Sequence, residues 1–134
     1  MVADDVQRFG FDAEEALSAA HSVVDKATLL ICVVYDAETF RTVYVDDRVD
    51  ALYSDTDARE EHFGRVHEYV HLDFMEADLF EELFIDPGNV HAFVTYMDTT
   101  IAVRVVADRE GVYFVLTPEA AVTKLVEAVK QVLE

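Results

Sequence analysis

Leu29-Leu30-Ile31-Cys32-Val33-Val34-Tyr35 is an unbroken apolar run with no period-two alternation. A short run without a polar face suits a strand covered on both sides, hence one central in its sheet. It is far too short to cross a bilayer. Asp36-Ala37-Glu38-Thr39 then makes a short connection to Phe40–Val45, where Phe40, Thr42 and Tyr44 alternate with Arg41, Val43 and Val45. The two segments read as a hairpin whose second strand is moderately amphipathic. Asp46-Asp47-Arg48 ends it. Val49–Asp55 leads onward, with Leu52 and Tyr53 as candidate anchors of that link.

Upstream of the hairpin, Asp12 with Glu15 reads as a capping box that opens a helix over 13–27. Ala16, Leu17, Ala20, Val23, Val24 and Ala27 form its apolar face, small enough for close approach to a sheet or another helix. His21 falls off that stripe and is expected on the solvent side. Residues 1–11 read as a loosely held arm in which Phe9 and Phe11 can tuck against the body of one domain spanning 1–134.

Downstream, Asp57 with Glu60 reads as another capping box. Phe63, Val66, Val70 and Phe74 recur at helical spacing, and Leu72, Met75, Leu79 and Leu83 form a second stripe. The two stripes are rotated by roughly half a turn at about 100° per residue. Asp73 with Glu76 repeats the cap pattern, so two helices are expected, over 58–71 and 74–84. Asp86-Pro87-Gly88-Asn89 stops the second. Three strands follow. Val90, Ala92, Val94 and Tyr96 share a face; Ile101, Val103, Val105 and Ala107 share the next, with Arg104 opposite; Val112, Phe114 and Leu116 share the third. Asp108-Arg109-Glu110-Gly111 is a tight turn in which Gly111 can take a positive φ. Thr117-Pro118-Glu119 is an N-cap, a first-position proline and a first-turn acid, which starts the last helix at 118. Val122, Leu125, Val126, Val129, Val132 and Leu133 form that helix's apolar face.

The order is helix, two strands, helices, three strands, helix. Half-buried strands need a cover, so the layer rules give an α+β fold: a five-stranded antiparallel sheet, hairpin plus meander, with helices against it. The order of elements over residues 12–133 resembles that of the roadblock/LC7 domains, a branch of the profilin-like folds; the helix at 74–84 is additional to that pattern. The resemblance implies dimerisation through a helix and a sheet edge. It also implies service as a cytoplasmic adaptor or regulator of a switch protein.

The chain carries 28 acidic against 10 basic residues, a formal net charge of -18. Without a basic stripe it has no means of gripping phosphates, which argues against nucleic acid as a partner. The acids are spread along the chain instead of forming one block, a balance like that of proteins from organisms with molar salt in the cytoplasm. The chain opens Met-Val-Ala-Asp-Asp, without a basic-plus-apolar leader, and is read as soluble and cytoplasmic, with no membrane contact. Cys32, the single cysteine, lies inside the apolar run and is read as a buried, inert thiol.

One motif has catalytic potential. His67-Glu68-x-x-His71 matches the zincin signature: histidines four apart share a helix face and can hold zinc, and Glu68 can act as general base on the bound water. A third ligand is required, and Asp78, Glu81, Glu82 and His91 are the candidates. The competing reading makes the helix an ordinary amphipathic layer with His67 and His71 at the boundary of core and solvent, or at a subunit contact, and no cofactor. A separate possibility is a small-molecule cavity lined by aromatics from among Phe40, Tyr44, Phe93, Tyr96, Tyr113 and Phe114. The expected function is a small non-enzymatic regulatory or adaptor domain with a protein partner, a homodimer. A zinc-dependent hydrolase built on His67, Glu68 and His71 is the first alternative, and a small-molecule sensory domain the second.

Overall fold

The 29–35 run forms an interior strand, hydrogen-bonded on both sides. A computed structural model describes residues 9–134. Its elements run α1 (Ala13–His21), β1 (Leu29–Asp36), β2 (Phe40–Val45), α2 (Asp47–Asp50), α3 (Thr56–Val70), α4 (Asp73–Leu83), β3 (Ala92–Tyr96), β4 (Ile101–Ala107), β5 (Glu110–Leu116) and α5 (Val122–Leu133). The sheet order is β2-β1-β5-β4-β3, and every neighbouring pair is antiparallel. Hairpin and meander join through β1 and β5, so β5 takes the centre and β1 lies one strand in from the edge. The expected five-stranded antiparallel sheet with helices against it is the architecture found.

The absence of alternation in β1 has a direct cause: its residues serve two cores. Leu29, Cys32 and Val34 join Val103, Phe114, Ala16, Ala20, Leu125 and Val129 in the main core, under α1 and α5. Ala16 and Ala20 are fully buried, and their small side chains let α1 lie close against its neighbours. Phe9 is buried in the same core with Phe11 beside it, ring centroids 5.8 Å apart. The rest of the expected arm, residues 1–8, lies outside the described residues. Tyr35 faces the other way and forms a smaller cluster with Phe74 and Val106, on the side of α3 and α4.

Several boundaries differ from the sequence expectation, each for a local reason. α1 begins at the expected Asp12 cap, whose carboxylate accepts from the Glu14 and Glu15 amides at 2.9 and 3.3 Å. It ends at His21 instead of 27. Ser22 Oγ donates to Ala19 O at 2.6 Å, and Asp25 turns the chain by accepting from the Thr28 amide and hydroxyl. His21 is half-buried, edge-on to Tyr44 at 5.7 Å, and not on the solvent side. Between β2 and α3 a single helical turn, α2, is capped by Asp46. Tyr53 anchors this link, its hydroxyl 2.6 Å from His62 Nδ1, whereas Leu52 points into solvent.

α3 is capped by Asp55, not Asp57. Asp55 has extended backbone and accepts from Ala58 N at 2.8 Å, while Glu60, the expected partner in the box, receives Thr42 Oγ1 instead. Asp55→Ala is therefore expected to cost about 0.5–2 kcal/mol of stability, with Asp57→Ala within about 0.5 kcal/mol of wild type, both measured by chemical denaturation. The helical stretch breaks at 71–72, as the rotated stripes require. α5 starts at Val122, because Thr117–Ala120 forms a turn closed by Ala120 N to Thr117 O at 3.2 Å and by the Thr117 hydroxyl on Glu119. In the β4–β5 turn the left-handed residues are Asp108 (φ 52) and Arg109 (φ 69), as a two-residue hairpin turn demands. Gly111 has no positive φ; its role is spatial and lies beside Tyr35.

Candidate functional site

The histidine pair sits at the end of α3, against the hairpin. His67 packs 5.5 Å from the Phe40 ring and edge-on to Tyr35 at 6.3 Å. Its Nε2 lies 2.7 Å from the Asp36 carbonyl. A carbonyl oxygen only accepts, so Nε2 carries the proton and, in the neutral ring, Nδ1 is the acceptor. His71 is 6.1 Å from His67, and its Nδ1 donates to the His67 carbonyl at 3.3 Å. Each imidazole thus has one nitrogen committed to a backbone oxygen. Glu68 is exposed.

The expected third ligands are engaged elsewhere or apart. Asp78 receives Arg109 at 2.7 Å, Glu81 receives the Val90 amide at 2.8 Å, His91 lies 3.9 Å from Glu134, and Glu82 is exposed. Among the described residues no three His, Cys, Asp or Glu side chains gather as a metal would need. The structure brings His67 and His71 together and leaves a third donor out.

A different carboxylate is the one buried at the centre of a side-chain network. Asp73 heads α4, and its side chain, read from sequence as a cap, turns into the sheet and is 2% exposed. Arg104 grips it with two prongs, Nε to Oδ2 at 3.0 Å and Nη2 to Oδ1 at 3.2 Å. Tyr35 donates to Oδ2 at 3.0 Å. Burial first, and the Asp73 charge second, push the Tyr35 phenol far up, so it remains a donor. Arg104 also donates to Thr95 Oγ1 and lies over the Phe93 ring at 5.6 Å. The sequence carried one signal for this network: Arg104 is the single charge in the apolar strand Ile101–Ala107, and such a residue needs a carboxylate.

Further contacts hold α4 down along its length. Arg109 donates to Phe74 O at 3.1 Å as well as to Asp78, and Glu81 ties the helix to Val90. With its inner side so fixed, α4 turns Leu72, Met75, Leu79 and Leu83 outward, where all four are exposed. Phe84 and Ile85 extend this surface, Ile85 at 99% exposure. At the sheet edge Phe80 reaches Phe93 of β3 at 6.4 Å, whereas the exposed Val94 and Tyr96, paired with Val103 and Ile101, lie on the opposite face of the sheet. A helix face with so many exposed apolar side chains is unusual on an isolated domain.

On the same side of the sheet, a cavity of about 160 Å³ lies between α3 and the strands β1 and β5. Phe40 and Tyr113 from the expected aromatic set line it. The others do not: Phe114 is in the main core, Tyr44 meets His21, Phe93 meets Phe80 and Tyr96 is exposed.

The single thiol belongs to the opposite core. Cys32 is fully buried, and burial, then the Glu14 charge, raise its pKa far above the ordinary 9.0. The unfolded chain ionises this thiol near its ordinary value and the folded chain does not. Stability from Cys32 is thus intact below that value and falls as pH rises above it. Cys32→Ala is expected to flatten the loss of stability above about pH 9, read from urea unfolding across the alkaline range.

No curated protein matches the chain. Among solved structures, it is similar to a roadblock/LC7 domain from Streptomyces avermitilis, at 12% identity over 87% of this chain and 89% of that one, with a TM-score of 0.53. It is similar also to the gliding protein MglB from Thermus thermophilus, at 10% identity over 90% of this chain and 87% of that one, with a TM-score of 0.51. These likenesses confirm the fold that the element order suggested. With residues 10–134 matching the family model described as domain of unknown function DUF7522, the chain belongs to that family, and its fold is that of the roadblock/LC7 domains.

Proposed function

We propose that this chain is a small non-enzymatic regulatory or adaptor domain that acts as a homodimer, docked through the outer face of α4 and the edge of β3. The observation that carries the proposal is the exposed stripe Leu72, Met75, Leu79 and Leu83 beside an unpaired sheet edge. An edge strand offers a row of free backbone donors and acceptors, which a second strand satisfies. Antiparallel pairing of β3 with β3 of a second copy extends the sheet. It also sets the two α4 helices side by side on one face, a self-complementary contact. The likeness in fold to a roadblock/LC7 domain and to a gliding protein supports this reading. An aqueous interior of a cell rich in salt suits the surface, because mobile ions screen repulsion between two copies that each carry a formal charge of -18.

Size-exclusion chromatography with light scattering tests this. In molar salt the expected mass is twice that of the chain, with dissociation on dilution at low salt. A monomer at every concentration and salt contradicts the proposal.

A further inference from the structure

The cavity under α3 is unlike the rest of this acidic chain. No carboxylate, lysine or arginine is among the side chains lining it, although the chain has 28 acids. Its walls are aliphatic and aromatic: Ile31, Val33 and Val66 with Phe40, Phe63 and Tyr113. It persists because α3 presents short side chains there. Val66 and Val70 line it from the helix, and Gly64 sits over Phe40, where an added Cβ would already be 3.6 Å from the ring. Ile31 and Val33 are left half-buried beneath, in a strand whose opposite face is fully packed.

We propose that this cavity is a binding site for a neutral single-ring aromatic molecule carrying one hydroxyl group, of the phenol class. The volume, about 160 Å³, is of the size that accepts a benzene ring. The aromatic walls offer edge and face contacts to such a ring. With no carboxylate, lysine or arginine in the lining, the walls favour a neutral ligand over an ionised one. Two polar groups on lining residues, the Tyr113 hydroxyl and His67 Nδ1, have no hydrogen-bond partner among the described residues. They set the number of polar substituents the ligand can satisfy. The site is independent of the α4 docking face.

The test is a titration of the folded protein with phenol in molar salt, followed by ligand-observed NMR, with benzylammonium as the comparison. Nonspecific attraction to the acidic surface would favour the cation. The expected result is saturable one-site binding of phenol, with benzylammonium at least about tenfold weaker. Val66→Phe, which fills the cavity, is expected to weaken phenol binding at least about tenfold while the protein still unfolds cooperatively. Leu79→Glu, on the outer face of α4, leaves binding unchanged. If Val66→Phe does not fold, Val33→Phe replaces it from the sheet side. No saturable phenol binding, equal binding of benzylammonium, or unchanged affinity in a folded cavity-filling variant overturns the proposal.

Discussion

Replacing Asp73 with alanine is expected to lower the unfolding free energy by up to about 3–5 kcal/mol, because it strands a guanidinium largely withdrawn from water. The Arg104 side chain is 16% exposed, and its bidentate partner would be gone, leaving Thr95 and the Phe93 face as its contacts. Tyr35, which is 1% exposed, would lose the acceptor for its hydroxyl as well. A buried donor without an acceptor costs about 1–3 kcal/mol by itself. Urea unfolding in molar salt, with the midpoint compared at constant slope, reads the loss. The double variant Asp73→Leu with Arg104→Met should recover most of it, since an apolar pair of similar volume often replaces a buried ion pair at little cost. A loss below about 1 kcal/mol for Asp73→Ala is the value of a solvent-screened pair, and would mean that water reaches this one.

The second large effect is expected at Gly111. A Cβ built there meets two Tyr35 ring atoms and the hydroxyl, Cζ at 2.7 Å and Cε1 and Oη at 2.8 Å. Tyr35 and Gly111 are directly paired across β1 and β5, and the Tyr35 hydroxyl is tethered by its hydrogen bond to Asp73. A ring that shifted to make room would strain or lose that bond. Gly111→Ala is therefore expected to destabilise by about 1–3 kcal/mol through overpacking. The sign is diagnostic. In a strand without this ring, glycine to alanine gains stability, by about 0.5–1 kcal/mol, through the entropy of the unfolded chain. In a Tyr35→Leu background the penalty should shrink, because the clashing atoms are removed. A neutral or stabilising Gly111→Ala in the wild-type background contradicts the account.

These two sites mark the limit of what the sequence discloses. Periodicity is a property of neighbours in the chain, so the hairpin over 29–45, the break after Val70 and the three-strand meander were legible from residue spacing. The capping rules name residue types but not positions within a turn. Asp55 and Asp57 therefore competed for one helix start, and the backbone geometry at Asp55 decided it. Asp73 satisfies the same cap pattern, yet its side chain goes to Arg104, 31 residues further on. Only the tertiary fold brings those two together. Gly111 was legible as a special residue; the reason was not, because it depends on a tyrosine from the paired strand.

The candidate site was legible in part. Helical spacing put His67 and His71 on one face, and the structure brings the rings to 6.1 Å. Spacing could not disclose that His67 would spend Nε2 on the Asp36 carbonyl or that Asp78 and Glu81 would be tied to Arg109 and Val90. In the same way the second stripe, Leu72 to Leu83, was visible as amphipathic. An amphipathic pattern says that a face needs cover, not where the cover comes from. Here the inner side of α4 is secured by Asp73, Phe74 and Glu81, and the stripe is left outside. That displacement is what turns a core pattern into the exposed face on which the proposed docking rests.

Amide hydrogen exchange along β3, followed through a dilution series in molar salt, tests the docking surface most directly. The β3 amides that make no bond to β4 are predicted to be protected at high protein concentration and to lose that protection together as the complex dissociates, while β5 amides stay protected throughout. Fast exchange of those outward β3 amides at every concentration, in a protein that nonetheless runs as a dimer, would place the contact elsewhere and contradict the account.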